Sequence, residues 1–241
     1  MTDVARSWAL AGACTAFVAI PNLGALFGAG EQTERYDTAV TPPDYAFAVW
    51  APIFAGCVAS TVGQCRDGGR HGPTARLVGW PLAGAYLVNA AWSLAAQTGR
   101  FAATPYLLPV AAGLAGVAHR RLQDAPPEPG LLAVTPVSTG LLLGWTTLAS
   151  AVNVVAARAD RDRPAVVTAA TGGLLAVAAV VSAVVARSRR GGPAVALASA
   201  WGLGTLAGSR RRAATVRTAA ALGVTAIVAA AGRRRGRAPA V

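Results

Sequence analysis

Three segments of the chain carry aromatic and amide side chains at helical spacing, and these residue types together can hold a flat apolar molecule. Phe47, Trp50 and Phe54 fall at i, i+3 and i+7, Tyr86, Asn89 and Trp92 at successive three-residue steps, and Trp145, Ala149 and Asn153 at successive four-residue steps. On an α-helix such steps return to one face, so three helices each present a stripe. Aromatic faces stack on a planar ring system, while a few amides orient it within an otherwise apolar cavity. Each stripe also has a plainer reading: Trp near the end of a membrane span anchors it at the interface, and an intramembrane Asn ties helices together. Trp8 and Trp80 read as anchors of that kind.

Other chemistries lack their residues. The apolar stretches hold no Asp, Glu, Lys, Arg or His, and both histidines, His71 and His119, read as parts of Arg-bearing loops. Proton relays, ion coupling and voltage sensing use intramembrane ionisable groups, so the sequence argues against a charge-coupled pump. Neither oxygen-rich nor imidazole ligands are grouped for a metal. Cys14, Cys57 and Cys65 are dispersed without a CxxC pair and read as packing residues. No acid, base or nucleophile constellation marks a catalytic site.

The elements that must position the stripes are membrane helices. Of the 241 residues 54% are hydrophobic and 13% charged, too little charge for a water-facing surface. The charges gather in short clusters that leave eight uncharged stretches: 7–30, 45–65, 77–99, 101–118, 129–157, 164–186, 191–209 and 218–232. A crossing takes about 20 apolar residues, a length that 101–118 and 218–232 fall short of. The stretches are apolar all round, unlike the amphipathic helices of a soluble protein, and they lack the alternation of barrel strands. The expected fold is therefore all-α, a polytopic transmembrane bundle of about eight spans, with seven as the alternative. Ala11 to Cys14 faintly matches a lipoprotein cleavage site, but the apolar lead from Trp8 is too short for a signal segment, and the first stretch is read as a retained span.

The net charge of +12 comes entirely from arginine among the basic residues, clustered at span ends. There positive charge sets topology and meets anionic head groups, so the bilayer is the expected partner and nucleic acid is not. Alternate loops hold thirteen and nine Arg, which favours cytoplasmic termini in a bacterial plasma membrane. Seven of those nine lie in the loops at 158–163 and 210–217, so the last three spans are weakly oriented by the rule. Five of six Trp, all four Tyr and all five Phe precede residue 158. The chain thus divides into an aromatic bundle, 1–157, and an Ala/Val/Gly-rich part with a basic tail, 158–241, which either covers the bundle or forms the face of a homodimer.

The stretch Pro42-Pro43-Asp44-Tyr45-Ala46-Phe47-Ala48-Val49-Trp50-Ala51-Pro52-Ile53-Phe54 resembles the second-helix signature of the TspO/translocator-protein family, the tryptophan-rich sensory proteins. Asn89-Ala90-Ala91-Trp92-Ser93 is similar to its third-helix Asn-x-x-Trp-Ser pattern, and the run from Trp145 through Ala149 to Asn153 to its fifth-helix pattern. Pro21-Asn22-Leu23-Gly24 loosely resembles the end of the first helix. The motifs come in family order and cover roughly residues 7–157. The chain departs from the pattern in its first loop, where Tyr36 follows Arg35, in Leu94-Ala95-Ala96 after Trp92, and in lacking a Tyr after Asn153.

The resemblance implies a TspO-like five-helix bundle with about three added helices. It further implies that Phe47, Trp50, Phe54, Tyr86, Asn89, Trp92, Trp145 and Asn153 bind an apolar planar ligand, with a porphyrin or haem held non-covalently. Two functions remain on these grounds: a ligand-binding sensor or receptor, and a facilitative carrier of a small apolar or neutral solute. A third, photo-oxidative porphyrin breakdown, would need a Trp as its redox group.

Overall fold

Proline and short turn sequences set where the helices begin. In the computed structural model, which describes residues 2–27 and 35–235, five helices carry Pro at their first or second position: α4 (Pro73–Gln97), α5 (Thr104–Leu122), α6 (Thr135–Ala156), α7 (Pro164–Arg187) and α8 (Gly192–Gly208). Proline fits there because those first N–H groups have no partner inside the helix. Three further helices are α1 (Asp3–Leu26), α2 (Trp50–Cys65) and α9 (Ala214–Arg235), and a single turn, α3 (Asp67–Arg70), joins α2 to α4. The Thr2 hydroxyl caps α1 by accepting the Ala5 N–H at 3.2 Å. No strand occurs among the described residues.

The eight long helices correspond to the eight uncharged stretches, but they run further than the charges suggested. α5 continues through Arg120 and Arg121 to Leu122, and α9 starts at Ala214, ahead of Arg217. Arginine stems cover apolar surface while the head reaches water, so a basic residue does not end a helix. Both stretches that had looked short are therefore long enough. Six helical segments are long and apolar enough to cross a membrane by themselves, and α4 and α8 are not among them. α8 has 17 residues, and α4 dilutes its apolar content with Arg76, Asn89, Ser93 and Gln97.

Contacts at the bundle ends show the eight long helices running alternately up and down. At one end the Asp3 carboxylate accepts from His71 at 2.8 Å and Arg76 at 2.9 Å, and the Gln123 side chain accepts the backbone N–H groups of Arg189 and Arg190. At the other end Asp37 pairs with Arg212 at 2.6 Å, and Arg161 donates to the Arg35 carbonyl. Sequence neighbours run antiparallel, and α1 begins at the end where α9 finishes. Such a stack of apolar helices, each closing its own backbone hydrogen bonds, is the architecture of an integral membrane protein.

α4 packs between α1 and α5, α6 between α5 and α8, and α9 against α7 and α8. At the α6–α8 contact the two backbones approach closely. A Cβ added at Gly140 would lie 2.5 Å from the Gly191 carbonyl oxygen, and one at Gly144 would lie 2.5 Å from that of Val195. The Ser199 hydroxyl donates to the Gly144 carbonyl across the same seam. Gly191 turns α7 into α8 at φ 69°, in the left-handed region. The Gly140/Gly144 pair thus has the close-packing role expected of small-xxx-small spacing. The spacing Gly24-x-x-x-Gly28 matches the same pattern, but Gly28 lies outside the described residues, as do Glu31 and Glu34, acidic residues of the segment between the first two apolar stretches.

Candidate functional site

The second-helix motif is not a single α-helix. Asp44–Val49 is a 3-10 turn and α2 begins at Trp50. Pro52 lies in the first turn of α2, where a missing N–H costs no helical hydrogen bond, while the segment before it tightens. Phe47, Trp50 and Phe54 nevertheless reach one cluster. Trp50 stacks on Phe54 at 5.4 Å between ring centroids and meets Trp145 edge-on at 6.1 Å, and Phe47 meets Trp145 edge-on at 5.7 Å.

The cluster has a member that no stripe announced. Phe17 of α1 stacks on Tyr86 at 5.3 Å and meets Trp50 and Phe54 edge-on. It is a lone aromatic in a run of Ala, Gly, Cys and Thr, and its position midway along the first apolar stretch was the only signal. Six rings from α1, the 3-10 turn, α2, α4 and α6 therefore form one connected set. Tyr86 and Trp145 are buried, while Phe47, Trp50 and Phe54 are partly buried against the core. Offset and edge-on pairs at these separations are the favoured ring geometries.

The amides form an adjacent layer. Trp92 Nε1 donates to Asn153 Oδ1 at 3.0 Å, which joins α4 to α6. Asn153 Nδ2 and Asn89 Nδ2 donate back to the carbonyls one turn earlier, Ala149 and Ala85. Asn89 is 2% exposed, and its Oδ1 has no hydrogen-bond partner. Trp145 and Asn153 lie eight residues apart on α6, about 12 Å at 1.5 Å per residue. The eight stripe residues thus form two neighbouring groups: five of them join Phe17 in the ring cluster, and Asn89, Trp92 and Asn153 lie beside it.

Neither histidine joins this region. His71 is exposed and pairs with Asp3. His119, expected in a loop, is in the last turn of α5, 4% exposed, with Nε2 2.7 Å from the Ser188 hydroxyl. Ser188 gives its own proton to the Val184 carbonyl, so His119 is the donor in that contact. Among the described residues no group of three His, Cys, Asp or Glu could hold a metal ion. Cys57 touches Tyr86, and all three cysteines are free thiols.

Two open pockets lie away from the rings. One, of about 580 Å³, is an apolar groove between α6 and α7. The other, of about 660 Å³, lies between the Pro42-Pro43 segment and the α8–α9 turn. Outside the spans, Arg158 donates bidentately to Asp160 and holds its carboxyl below the usual range.

The profile of the TSPO-like protein family matches residues 9–233. The chain belongs to that family. The match runs through all eight long helices, so the TSPO-like pattern takes in α7, α8 and α9 as well as the part bearing the three motifs. No curated protein and no solved structure matches the chain at a significant level.

Proposed function

We propose that this TSPO-like membrane protein is a ligand-binding sensor that takes an apolar planar molecule of the tetrapyrrole type at the ring cluster. It would lie in a bacterial plasma membrane with both termini cytoplasmic. The observation that carries the reading is the union of six rings with the buried, unpartnered Oδ1 of Asn89. An unpaired buried acceptor is costly, and a ligand bearing an N–H donor relieves that cost. The rings stack on one another in this structure, so binding exchanges ring–ring for ring–ligand contacts. A free-base porphyrin suits this set better than a histidine-ligated haem, because His71 and His119 both lie at the bundle end remote from the Trp92–Asn153 layer.

In this reading residues 1–157 supply the site and 158–241 brace it, with α8 seated on α6. Trp fluorescence titrated with protoporphyrin in mild detergent tests the proposal. Quenching should be saturable in the native chain and weakened in Trp50→Ala and in Asn89→Leu. Unchanged affinity in both variants overturns the site. An orienting role for Asn89 also predicts that Asn89→Asp, which keeps an acceptor, retains more affinity than Asn89→Leu.

A further inference from the structure

The α8–α9 turn carries Arg210, Arg211 and Arg212 in succession, facing Asp44 and Tyr45 across the 660 Å³ pocket. The three guanidinium groups are not equivalent. Arg212 is clamped by Asp37, its two Nη groups donating to the two carboxylate oxygens at 3.0 and 2.6 Å. Its side chain is 15% exposed, and its Nε is buried with no partner. Arg210 and Arg211 are exposed at the same pocket and have no hydrogen bond or ion pair among the described residues. On the opposite wall the Asp44 carboxylate is likewise unpaired among the described residues.

The two free guanidinium groups, on a turn anchored by the Arg212–Asp37 pair, present the forked N–H donors that match phosphate oxygens. The place in the fold adds a second argument. α8 has 17 residues, a length of about 26 Å at 1.5 Å per residue, shorter than the roughly 30 Å hydrocarbon core. The arginines of the turn that follows it are thereby held near the edge of the apolar layer, where an unpaired guanidinium is costly and phosphate head groups are abundant.

We propose that Arg210 and Arg211 form a binding site for a phosphate ester, set at the membrane boundary and separate from the ring cluster, with the Asp37-clamped Arg212 fixing the turn that carries them. Phosphate on a lipid and phosphate in solution share this chemistry, and two probes separate them. The full-length protein in neutral detergent is titrated calorimetrically with inorganic phosphate and with a short-chain phosphatidic acid. Binding of both assigns the site to the phosphate group itself, and binding of the lipid alone assigns it to a head group. The Arg210→Gln/Arg211→Gln variant should weaken binding of the active probe about tenfold or more. Arg66→Gln/Arg100→Gln, which removes equal charge from two exposed positions, should leave it unchanged. Asp44→Asn, which removes the opposing carboxylate, should strengthen it, a gain that misfolding cannot imitate. Failure of both probes to bind overturns the site, as does an equal loss in the two double variants. If the Arg210/Arg211 variant does not fold, an unchanged affinity in Asp44→Asn overturns it.

Discussion

Around Trp50 the bundle is held by rings, and around Gly144 it is held by backbone. In the first region Phe17, Trp50, Tyr86 and Trp145 fill the space between the helices. In the second, α6 and α8 approach until a Cβ would strike the Val195 carbonyl oxygen. Lipid is as apolar as these side chains, so helices in a membrane associate through packing rather than through escape from water. Both regions are packing solutions, but they differ in what can be exchanged. Ring contacts can be traded for contacts with another flat molecule. A seam of touching backbones has no room to trade.

The seam should be the more fragile of the two to a single change. Gly144→Val forces backbone apart, because the atoms it meets belong to Val195 main chain and to Ser199 and Ala198, and the expected loss is about 3 kcal/mol. Trp145→Ala removes the ring that meets Phe47 and Trp50. The expected loss is about 2 kcal/mol, below the range for soluble cores, because unfolding within lipid does not expose the ring to water. Detergent-induced unfolding in lipid nanodiscs measures both. A larger loss for Trp145→Ala than for Gly144→Val would break the distinction drawn between rings and backbone.

A smaller change tests the link between the ring cluster and the amides. Trp92→Phe keeps a ring but deletes the indole N–H that Asn153 accepts. Interhelical hydrogen bonds in membranes average about 0.6 kcal/mol, and the same unfolding measurement should return a loss of that size. A loss several times larger would mean that this one bond sets the α4–α6 spacing.

How much of this could be read beforehand follows from which signals are local. The stripes on α2, α4 and α6 depend on spacing alone, and the structure does bring Trp50 to Trp145 and Trp92 to Asn153. Phe17 was hidden because a single aromatic has no period, and its role arises only when α1 packs on α4. The 3-10 turn before Trp50 was signalled by Pro43 and Pro52, yet helical spacing concealed it because Phe47 still reaches Trp145. Charge marked the helix ends too early at His119, where three polar residues continue α5 and the imidazole turns inward to Ser188. Nothing local tells that Gly140 and Gly144 face another helix while Gly172 does not.

Gly172 supplies the sharpest control for that last point. It lies on α7, in the same Ala/Val/Gly-rich composition as the seam partner α8, but a Cβ added there meets no atom within 4 Å. Gly172→Ala therefore relieves the flexible glycine without forcing a neighbour to move. The expected change is a gain of no more than about 1 kcal/mol, from helix propensity and a less disordered unfolded chain. Opposite signs for Gly172→Ala and Gly144→Val, read in the same nanodisc unfolding assay, would show that position relative to a partner backbone governs glycine in this half of the bundle. A loss at Gly172 comparable to that at Gly144 would instead mean that α7 presents a packed face there, in a second copy of the chain or in bound lipid.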